Sequence, residues 1–435
     1  MPIGIFRRKT STTMLSLGGM DAAEKTAMLR AIDRYRDKLS AAPASSLTEQ
    51  AEHEQQFNDQ LEQLSPVPWA TYGLIALNIA VWLATLYLGG GIQGSPADKL
   101  LQWGGNAASE VQKGQWWRLL SATFLHSGLL HVAMNMLGLY AAGVTLERIY
   151  GARQFLLVYF ASGLIGSALS LSWTAQGSVS VGASGAVFGI LGALVVAVLK
   201  HKDKLPRRFS SRITGLGVYV VYALIQGFSE SGIDNAAHIG GLLGGCLLAL
   251  ILPERFDLER FRRLQLSRDL AALGIVILGV IGLVAAAPTA TLDQRRLFAS
   301  EALMQKVFKD FDANMKALQQ EEEDVKAGKI SARQADERSR TVFAPRFHQT
   351  TADLSQVILR PGDPRENLLR DTRRLAELLT EILAMNSTFA AGSDTPIPAN
   401  PQRWRQIEKE IPVITARLQQ ETAKLKQLAA RKGRS

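Results

Sequence analysis

The sequence has 435 residues, a formal net charge of +10 and a single cysteine. This length leaves room for more than one domain, and the lone Cys246 excludes an intrachain disulfide and a thiolate metal site. The charge does not indicate nucleic-acid binding, because much of the basic excess lies in short loops between apolar runs rather than in one stripe with aromatic residues.

Residues 1–66 form a polar N-terminal region. From Asp21 to Leu39, a capping-box pattern and apolar residues at helical spacing predict one amphipathic helix. Residues 41–60 are polar and Ser-rich, and the Pro-rich break at residues 65–68 precedes the first apolar run. No apolar core follows the basic cluster Arg7–Lys9, so this end lacks the pattern of a cleavable signal peptide.

The middle of the chain contains about seven apolar segments of the length that membrane-spanning helices need. Their predicted limits are Trp69–Leu88, Leu119–Leu146, Phe155–Trp173, Val181–Leu199, Ile213–Phe228, Ala236–Leu252 and Leu270–Ala287. Several are near the lower end of the ~20 residues required, which predicts tilted or recessed helices.

The distribution of charge predicts how these segments are oriented. Residues 200–208 and 255–268 are rich in Lys and Arg, so we expect both on the cytoplasmic side. The opposite loops are uncharged or acidic. The sequence therefore predicts a multi-pass protein of a bacterial inner membrane, with residues 1–66 in the cytoplasm and the chain after Ala287 in the periplasm or outside the cell.

Residues 289–435 are predicted to form a helical soluble domain. Apolar residues recur at helical spacing in three stripes that begin at Leu297, Leu368 and Trp404. These stripes are typical of the core of a small bundle. They indicate no chemistry and do not identify a partner.

Two polar residues inside the apolar segments indicate nucleophilic chemistry. Ser184 lies near the start of the fourth segment and His238 near the start of the sixth. A serine hydroxyl is a poor nucleophile without an adjacent base, and an ionisable side chain within a membrane is costly unless it is functional. Because both segments enter from the outer side, we expect the two groups at one depth, within about 2.6–3.2 Å of each other.

Several further residues are expected to support this pair. Small residues predict close packing of the two helices, and they are Gly185, Gly189, Gly240, Gly241, Gly244 and Gly245. Phe188 lies four residues after Ser184, on the same helical face, where its ring can pack against the imidazole. On the second segment, His131 and Asn135 share a face and are candidate oxyanion donors, together with the backbone N–H of Ser184.

Other interpretations of these residues stay open. Asp234, one turn before His238, either orients the imidazole or is an end-of-helix carboxylate favoured by the helix dipole, and we favour the second. His126 is expected to hold water or the loop. Alternatively, His126, His131 and His238 with Asp234 bind zinc in a membrane hydrolase. A transporter or a non-catalytic membrane chaperone is the remaining alternative; the lack of an inverted repeat argues against the first.

Taken together, the motifs resemble the rhomboid family of intramembrane serine proteases. The resemblance covers roughly residues 69–252 and combines these motifs: Gly-Ala-Ser-Gly at 182–185, Ala-His at 237–238, His131 with Asn135, Trp117-Arg118, and Glu147-Arg148. It implies an all-α polytopic membrane fold. In that fold, residues 67–254 form a six-helix catalytic bundle, and residues 255–288 form a basic linker and an additional seventh transmembrane helix.

The resemblance also implies roles for individual residues. Ser184 is implied to be the nucleophile and His238 the general base. His131, Asn135 and Gly182 surround the oxyanion, and Trp117-Arg118 lies in a loop partly within the outer leaflet. Phe188 stands where members often have tyrosine, so the ring is retained and only the phenol hydroxyl is lost. The implied activity requires no cofactor or metal, and its substrates are single-spanning membrane proteins, cut near the outer face of the lipid bilayer.

Overall fold

A computed structural model describes residue 30 and residues 44–174, 177–201, 205–229, 233–389 and 396–432. These residues are almost entirely helical. The helices are labelled in chain order as α1 (Ala44–Leu64), α2 (Trp69–Tyr87), α3 (Ala97–Trp103), α4 (Ala108–Gln112), α5 (Arg118–Ser121), α6 (Leu129–Tyr150), α7 (Ala152–Leu169), α8 (Leu171–Thr174), α9 (Ser184–His201), α10 (Arg207–Ser229), α11 (Asn235–Ile251), α12 (Leu258–Ala286), α13 (Gln294–Lys326), α14 (Ala332–Arg338), α15 (Ala344–Ser355), α16 (Glu366–Ala384) and α17 (Pro401–Lys432). A two-stranded antiparallel ribbon, β1 (Ser387–Phe389) and β2 (Pro396–Pro398), precedes α17.

Among the described residues, five helices are long and apolar enough to cross a membrane: α2, α6, α7 continued by α8, α9 and α12. Two shorter apolar helices, Gly215–Phe228 within α10 and Asn235–Ile251, take the positions of the fifth and sixth predicted segments. The all-α polytopic membrane fold predicted from the sequence is therefore confirmed. The predicted helix from Asp21 to Leu39 lies outside the described residues, apart from residue 30.

The predicted start of the second segment, Leu119, is wrong. Short helix α5 is followed by a 3-10 turn at Ala122–Phe124, and α6 begins only at Leu129. Hydrophobicity does not reveal this break, because apolar residues such as Leu119 are buried within the protein rather than facing lipid. As a result, His126 lies in a loop and not in a membrane-spanning helix.

Two other segments also differ from expectation. Residues Ala44–Leu64, expected as part of a polar tether, form α1, which is rich in the strong helix formers Glu, Gln, Leu and Ala. The basic residues before the seventh apolar segment belong to the same continuous helix as that segment, α12, which begins at Leu258 with Asp257 as its N-cap.

Helix α9 lies at the centre of the bundle and packs most extensively against α11, and also against α7. Gly241 of α11 faces Gly185 of α9, and Gly245 faces Gly189 one turn further along. A Cβ on Gly241 or Gly245 would collide with the carbonyl oxygen of the facing glycine. Glycine at these positions therefore sets the distance between the two helix backbones.

Gly240 and Gly244 were also expected to lie at the close contact between α9 and α11, and this expectation is wrong. A Cβ on Gly240 would lie 3.0 Å from Cα of Gly166, and one on Gly244 would lie 3.0 Å from Cδ1 of Ile165, and both of those residues are in α7. Consecutive helix positions differ by about 100° in direction, so the paired glycines of α11 contact two different neighbours. Gly241 and Gly245 therefore pack α11 against α9, whereas Gly240 and Gly244 pack it against α7.

The Glu147-Arg148 motif holds the start of α2. The Glu147 carboxylate accepts hydrogen bonds from the backbone N–H groups of Ala70 (3.1 Å) and Thr71 (2.8 Å) and from the Thr71 hydroxyl (2.7 Å). These backbone groups have no partner within their own helix, so a buried carboxylate satisfies them. Arg148 pairs with Glu62 of α1 at 3.4 Å.

The three apolar stripes predicted in the C-terminal region lie on α13, α16 and α17, which pack together with α15. Their common core consists of Phe343, Phe347, Leu375, Leu378, Leu379, Ile407 and Ile414. This C-terminal bundle is docked on the loop between α2 and α6. Lys113 pairs with Asp293 at 2.9 Å, and Arg295 donates to Glu110 at 2.8 Å. Gln112 donates to the Pro288 carbonyl at 2.8 Å and accepts from the Ala290 N–H at 3.0 Å.

We expect Gly241→Ala to destabilise the bundle, because the added methyl would push α11 away from the Gly185 carbonyl. Overpacking of this kind costs about 1–3 kcal/mol of the free energy of unfolding. The measurement is thermal unfolding of the purified protein in detergent. Gly279→Ala in α12 is the control, because a Cβ there has no heavy atom within 4 Å. Equal melting temperatures for the two variants would contradict this packing.

The docking of the C-terminal bundle should depend on pH. Burial opposes ionisation of Glu110, but hydrogen bonds from Lys113 and Arg295 outweigh it and lower its pKa below 4.5. Arg118 also lies 4.0 Å from this carboxylate. A lowered pKa gives stability that is present above pH 4.5 and is lost as the pH falls through the folded value.

Glu110→Gln should therefore lower the melting temperature at neutral pH, and the difference from wild type should shrink once the medium is more acidic than the folded pKa. Melting curves of both proteins across that range test this. A difference that persists unchanged in acid would show that the charge of Glu110 is not what stabilises the contact.

Candidate active site

Ser184 and His238 meet at the N-terminal ends of two packed helices. Ser184 is the first residue of α9 and His238 is in the first turn of α11. Nε2 of His238 lies 2.9 Å from Oγ of Ser184, within the distance expected from the sequence. The glycine contact one turn further along holds the two backbones close enough for this hydrogen bond.

The ring of Phe188 fixes the plane of the imidazole. The two rings are stacked, with centroids 4.3 Å apart and planes inclined by 3°. Phe188 is itself buried. The expected packing of this ring on the imidazole is therefore present.

Asp234 is the N-cap of α11 and not a partner of the imidazole. Its carboxylate accepts a hydrogen bond from the Ala237 N–H at 3.0 Å and another from the Ser170 hydroxyl. Nδ1 of His238 is buried and has no hydrogen-bond partner within the described part of the chain. Of the two interpretations of Asp234, the end-of-helix carboxylate is confirmed.

His131 and Asn135 converge on Gly182 from α6. A Cβ on Gly182 would lie 2.6 Å from Nε2 of His131 and 3.7 Å from Nδ2 of Asn135. Nδ1 of His131 lies 3.0 Å from the Ser127 hydroxyl, and when that hydroxyl donates, Nε2 carries the proton. Asn135 uses one N–H on the His131 carbonyl at 3.0 Å, which leaves its second N–H for another acceptor.

Gly182 contributes space rather than a free donor. Its φ of +124° is in the region that favours glycine, and a side chain would strike His131. Its N–H donates to the Ala122 carbonyl at 2.9 Å, so this amide is already bonded. The N–H of Ser184 differs, because the first residues of a helix have no intrahelical acceptor.

His126, His131, His238 and Asp234 do not come together as one group of possible metal ligands in this structure. No group of three or more His, Cys, Asp or Glu side chains that could hold a metal occurs among the residues that the structure describes. His126 instead contacts the backbone just before Ser184, where its Nε2 accepts a hydrogen bond from the Ala183 N–H at 3.5 Å. The His126 ring also packs edge-on against the ring of His131. It therefore supports the turn before Ser184, as expected of a residue that holds the loop.

Trp117 and Arg118 lie away from the Ser184–His238 pair. The guanidinium of Arg118 is buried and donates to the carbonyls of Leu101 (2.6 Å) and Gly105 (3.0 Å) and to Gln115 (2.7 Å). Trp117 is half exposed and its ring lies 4.7 Å from that guanidinium. The motif folds the loop between α2 and α6 and does not touch the reacting groups.

All of these reacting groups line one cavity of about 720 Å³. His131, Asn135, Gly182, Ser184 and His238 form its polar part, and residues of α10, including Tyr222 and Gln226, form another wall. Such a cavity can admit water below the membrane surface, and a carbonyl placed between Oγ of Ser184 and the donors of α6 meets the requirements of acyl transfer.

Two further residues that were not predicted from the sequence, Asn106 and Ser127, position this site. Asn106 exchanges backbone hydrogen bonds with Ser180 at 2.9 and 2.8 Å, and its side chain donates to the Ser167 carbonyl at 2.8 Å. Ser127 contacts Nδ1 of His131. The four-residue spacing of Ser127 and His131 was a usable signal, whereas nothing local to Asn106 indicates its distant partners.

Comparison with known proteins places the matched residues over this site. A family model described as Rhomboid domain matches residues 113–255. "Rhomboid protease GluP" of Bacillus subtilis (strain 168) is 40% identical over 185 residues, 42% of this chain and 35% of the relative. "Putative rhomboid protease YdcA" of the same organism is 31% identical over 185 residues, 42% of this chain and 87% of the relative. "Rhomboid protease AarA" of Providencia stuartii is 32% identical over 201 residues, 41% of this chain and 71% of the relative. The chain thus spans about a third of the first relative and more than two thirds of the other two.

We expect Phe188→Ala to slow the reaction of Ser184 with a fluorophosphonate probe. Loss of a stacked ring removes about 0.5–1.5 kcal/mol, which is up to roughly a tenfold change in rate. Phe188→Tyr keeps the ring and should react within about twofold of wild type. Labelling rates of the three purified proteins test this. An alanine variant that reacts as fast as wild type would show that the ring does not orient His238.

Proposed function

The chain belongs to the rhomboid family, and we propose that it is an intramembrane serine endopeptidase with Ser184 as nucleophile and His238 as general base. The observation that carries this proposal is the 2.9 Å hydrogen bond between Oγ of Ser184 and Nε2 of His238, at a cavity with a polar part inside an apolar helix bundle. An ionisable residue in that setting is expected to be functional.

Acylation follows from this geometry. Oγ of Ser184 attacks the scissile carbonyl carbon while Nε2 of His238 takes the hydroxyl proton. The tetrahedral intermediate then collapses, the peptide C–N bond breaks, and His238 returns the proton to the leaving amine. The N-terminal half of the substrate stays bound to Ser184 through its carbonyl carbon as an ester, and the C-terminal half leaves as the amine.

Deacylation uses the same base. A water molecule in the cavity attacks the ester carbonyl, His238 accepts its proton, and the proton returns to Oγ as the Ser184 ester bond breaks. The product is a carboxylic acid. Because Nδ1 of His238 has no carboxylate partner among the residues that the structure describes, we assign the orientation of the imidazole to the stacked Phe188 ring rather than to an ion pair.

The negative charge of the intermediate falls where His131 and Asn135 converge. Nε2 of His131, the second N–H of Asn135 and the N–H of Ser184 are the proposed donors, and Gly182 leaves room for the oxyanion between them. Loss of one such donor typically costs about 3–4 kcal/mol of transition-state stabilisation.

The proposed substrates are single-spanning membrane proteins that are cut near the outer face of the membrane. Helical hydrogen bonds occupy a substrate's carbonyls, so we expect small or helix-weakening residues at the cut. Helix α10 packs mainly on α9 and exposes Val218, Ile225 and Phe228, while Tyr222 and Gln226 line the cavity. Movement of α10 is therefore the proposed route of lateral entry.

The proposed orientation follows the charge pattern. Arg260, Arg262 and Arg263 lie at the start of α12, which we place on the cytoplasmic side. In this orientation the N-terminal region is cytoplasmic, Ser184 lies near the outer face, and the C-terminal bundle is outside. A bacterial inner membrane would supply this arrangement.

We expect a fluorophosphonate probe to label the wild-type protein in lipid vesicles and to lose at least about 10³-fold in rate with Ser184→Ala or His238→Ala. Ser172→Ala, which changes an exposed serine bonded to the Leu169 carbonyl, is the control and should react like wild type. The rates at which these proteins cleave a single-spanning fusion protein should follow the same order, with wild type and Ser172→Ala fast and Ser184→Ala and His238→Ala slow.

Two results would overturn the proposal. Equal labelling of all four proteins would remove the role of Ser184 and favour a non-catalytic membrane chaperone. Cleavage that survives Ser184→Ala but is abolished by a strong chelator would favour the zinc hydrolase that uses His126, His131 and His238.

A further inference from the structure

Gln294 connects the C-terminal bundle to the segment that leads into Ser184. It is the first residue of α13 and its side chain is fully buried. Its Oε1 accepts a hydrogen bond from the Ser109 hydroxyl in α4, and its Nε2 donates to the carbonyls of Thr174 (2.8 Å) and Ser178 (3.5 Å). One amide therefore joins the loop between α2 and α6 to the residues before α9.

The segment at residues 177–183, here called the approach segment, has no regular secondary structure of its own. It is held by backbone bonds to the loop between α2 and α6, through Ser180 to Asn106 and through Gly182 to Ala122. The approach segment leads directly into Ser184, and it places Gly182 against His131. A shift of this segment would therefore move both the nucleophile and one wall of the proposed oxyanion site.

A second contact from the C-terminal bundle reaches the same segment. Nη2 of Arg360 donates to the Gly177 carbonyl at 2.8 Å, and a Cβ on Gly177 would lie 3.3 and 3.5 Å from the side chains of Leu297 and Leu292. Gln294 and Arg360, which are distant in sequence, thus make polar contacts with the same short stretch of chain around Gly177.

Other contacts of the C-terminal bundle hold α4 and Lys113 rather than the approach segment. Arg295 and Asp293 pair with Glu110 and Lys113, and Gln112 bonds to the chain at Pro288 and Ala290. These contacts do not involve Gln294. Replacing Gln294 should therefore release the approach segment while the bundle stays docked.

We propose that Gln294 is a positioning residue for catalysis, through which the C-terminal bundle holds the approach segment and hence Ser184 and the oxyanion site in register. The effect on turnover rests on the proposed protease function. Misplacement of reacting groups by about 1 Å is enough to cost up to 10²-fold in rate. A shift of the approach segment would displace the reacting groups but not the α10 wall of the cavity, which is the proposed entry route of the substrate, so the effect should appear in kcat rather than KM.

The test compares wild type, Gln294→Leu, Arg360→Ala and Gln319→Leu, all as full-length protein in lipid vesicles. Leucine keeps the volume of Gln294 and removes its hydrogen bonds, and Gln319 is an exposed glutamine on the same helix. Two readouts are measured: kcat and KM on a single-spanning fusion substrate, and hydrogen–deuterium exchange of peptides that cover residues 177–183.

Gln294→Leu should lower kcat about tenfold with KM within about twofold, and the amides of Ser180 and Gly182 should exchange faster. Exchange in α2 should not change. Arg360→Ala should move both readouts in the same direction, and Gln319→Leu should match wild type. Arg360→Ala also decides the question if Gln294→Leu fails to fold.

The inference is overturned if kcat stays at the wild-type value, or if kcat falls while exchange at residues 177–183 is unchanged. Failure of the proposed function has a different signature, because wild type and Ser184→Ala would then both leave the substrate intact. The exchange measurement still decides in that case whether Gln294 holds the approach segment.

Discussion

The close approach of α9 and α11 is the constraint on which the site depends. Gly185 and Gly189 meet Gly241 and Gly245 with no side chain between the backbones. A serine and a histidine have short side chains, so they reach a 2.9 Å hydrogen bond only if their helices are this close. The distance between Ser184 and His238 therefore depends directly on the packing of α9 and α11, and any residue larger than glycine at the contact changes both.

Polar groups inside the bundle are tolerated because most of them have assigned partners. Glu147 caps α2 and Asp234 caps α11, so these carboxylates stabilise helix ends that otherwise have unpaired N–H groups. His131 bonds to Ser127, just before its helix, and Asn135 bonds to the His131 carbonyl within it. Nδ1 of His238 is one of several buried polar atoms that have no partner among the described residues. The other ring nitrogen of His238 is bonded to Oγ of Ser184.

The sequence predicted those features that depend on helix direction and local spacing. Two apolar segments entering from one side place Ser184 and His238 at one depth, and a four-residue spacing puts Phe188 on the imidazole. It did not predict the start of α6 or which helix Gly240 faces, because buried loop residues and lipid-facing residues look equally apolar. Gln294 and Ser109 are 185 residues apart, and no local pattern reports a contact of that range.

The two halves of the active site have different mechanical support. Ser184 and His238 belong to α9 and α11, whose backbones pack directly against each other. Gly182 belongs to a non-helical segment that lines the cavity. Irregular backbone has no internal hydrogen-bond ladder, so its position is only as fixed as its external partners. In this protein those partners are the loop between α2 and α6 and, through Gln294 and Arg360, the C-terminal bundle. In our proposal, the C-terminal bundle acts through these contacts on the chemistry of Ser184 without touching a reacting atom.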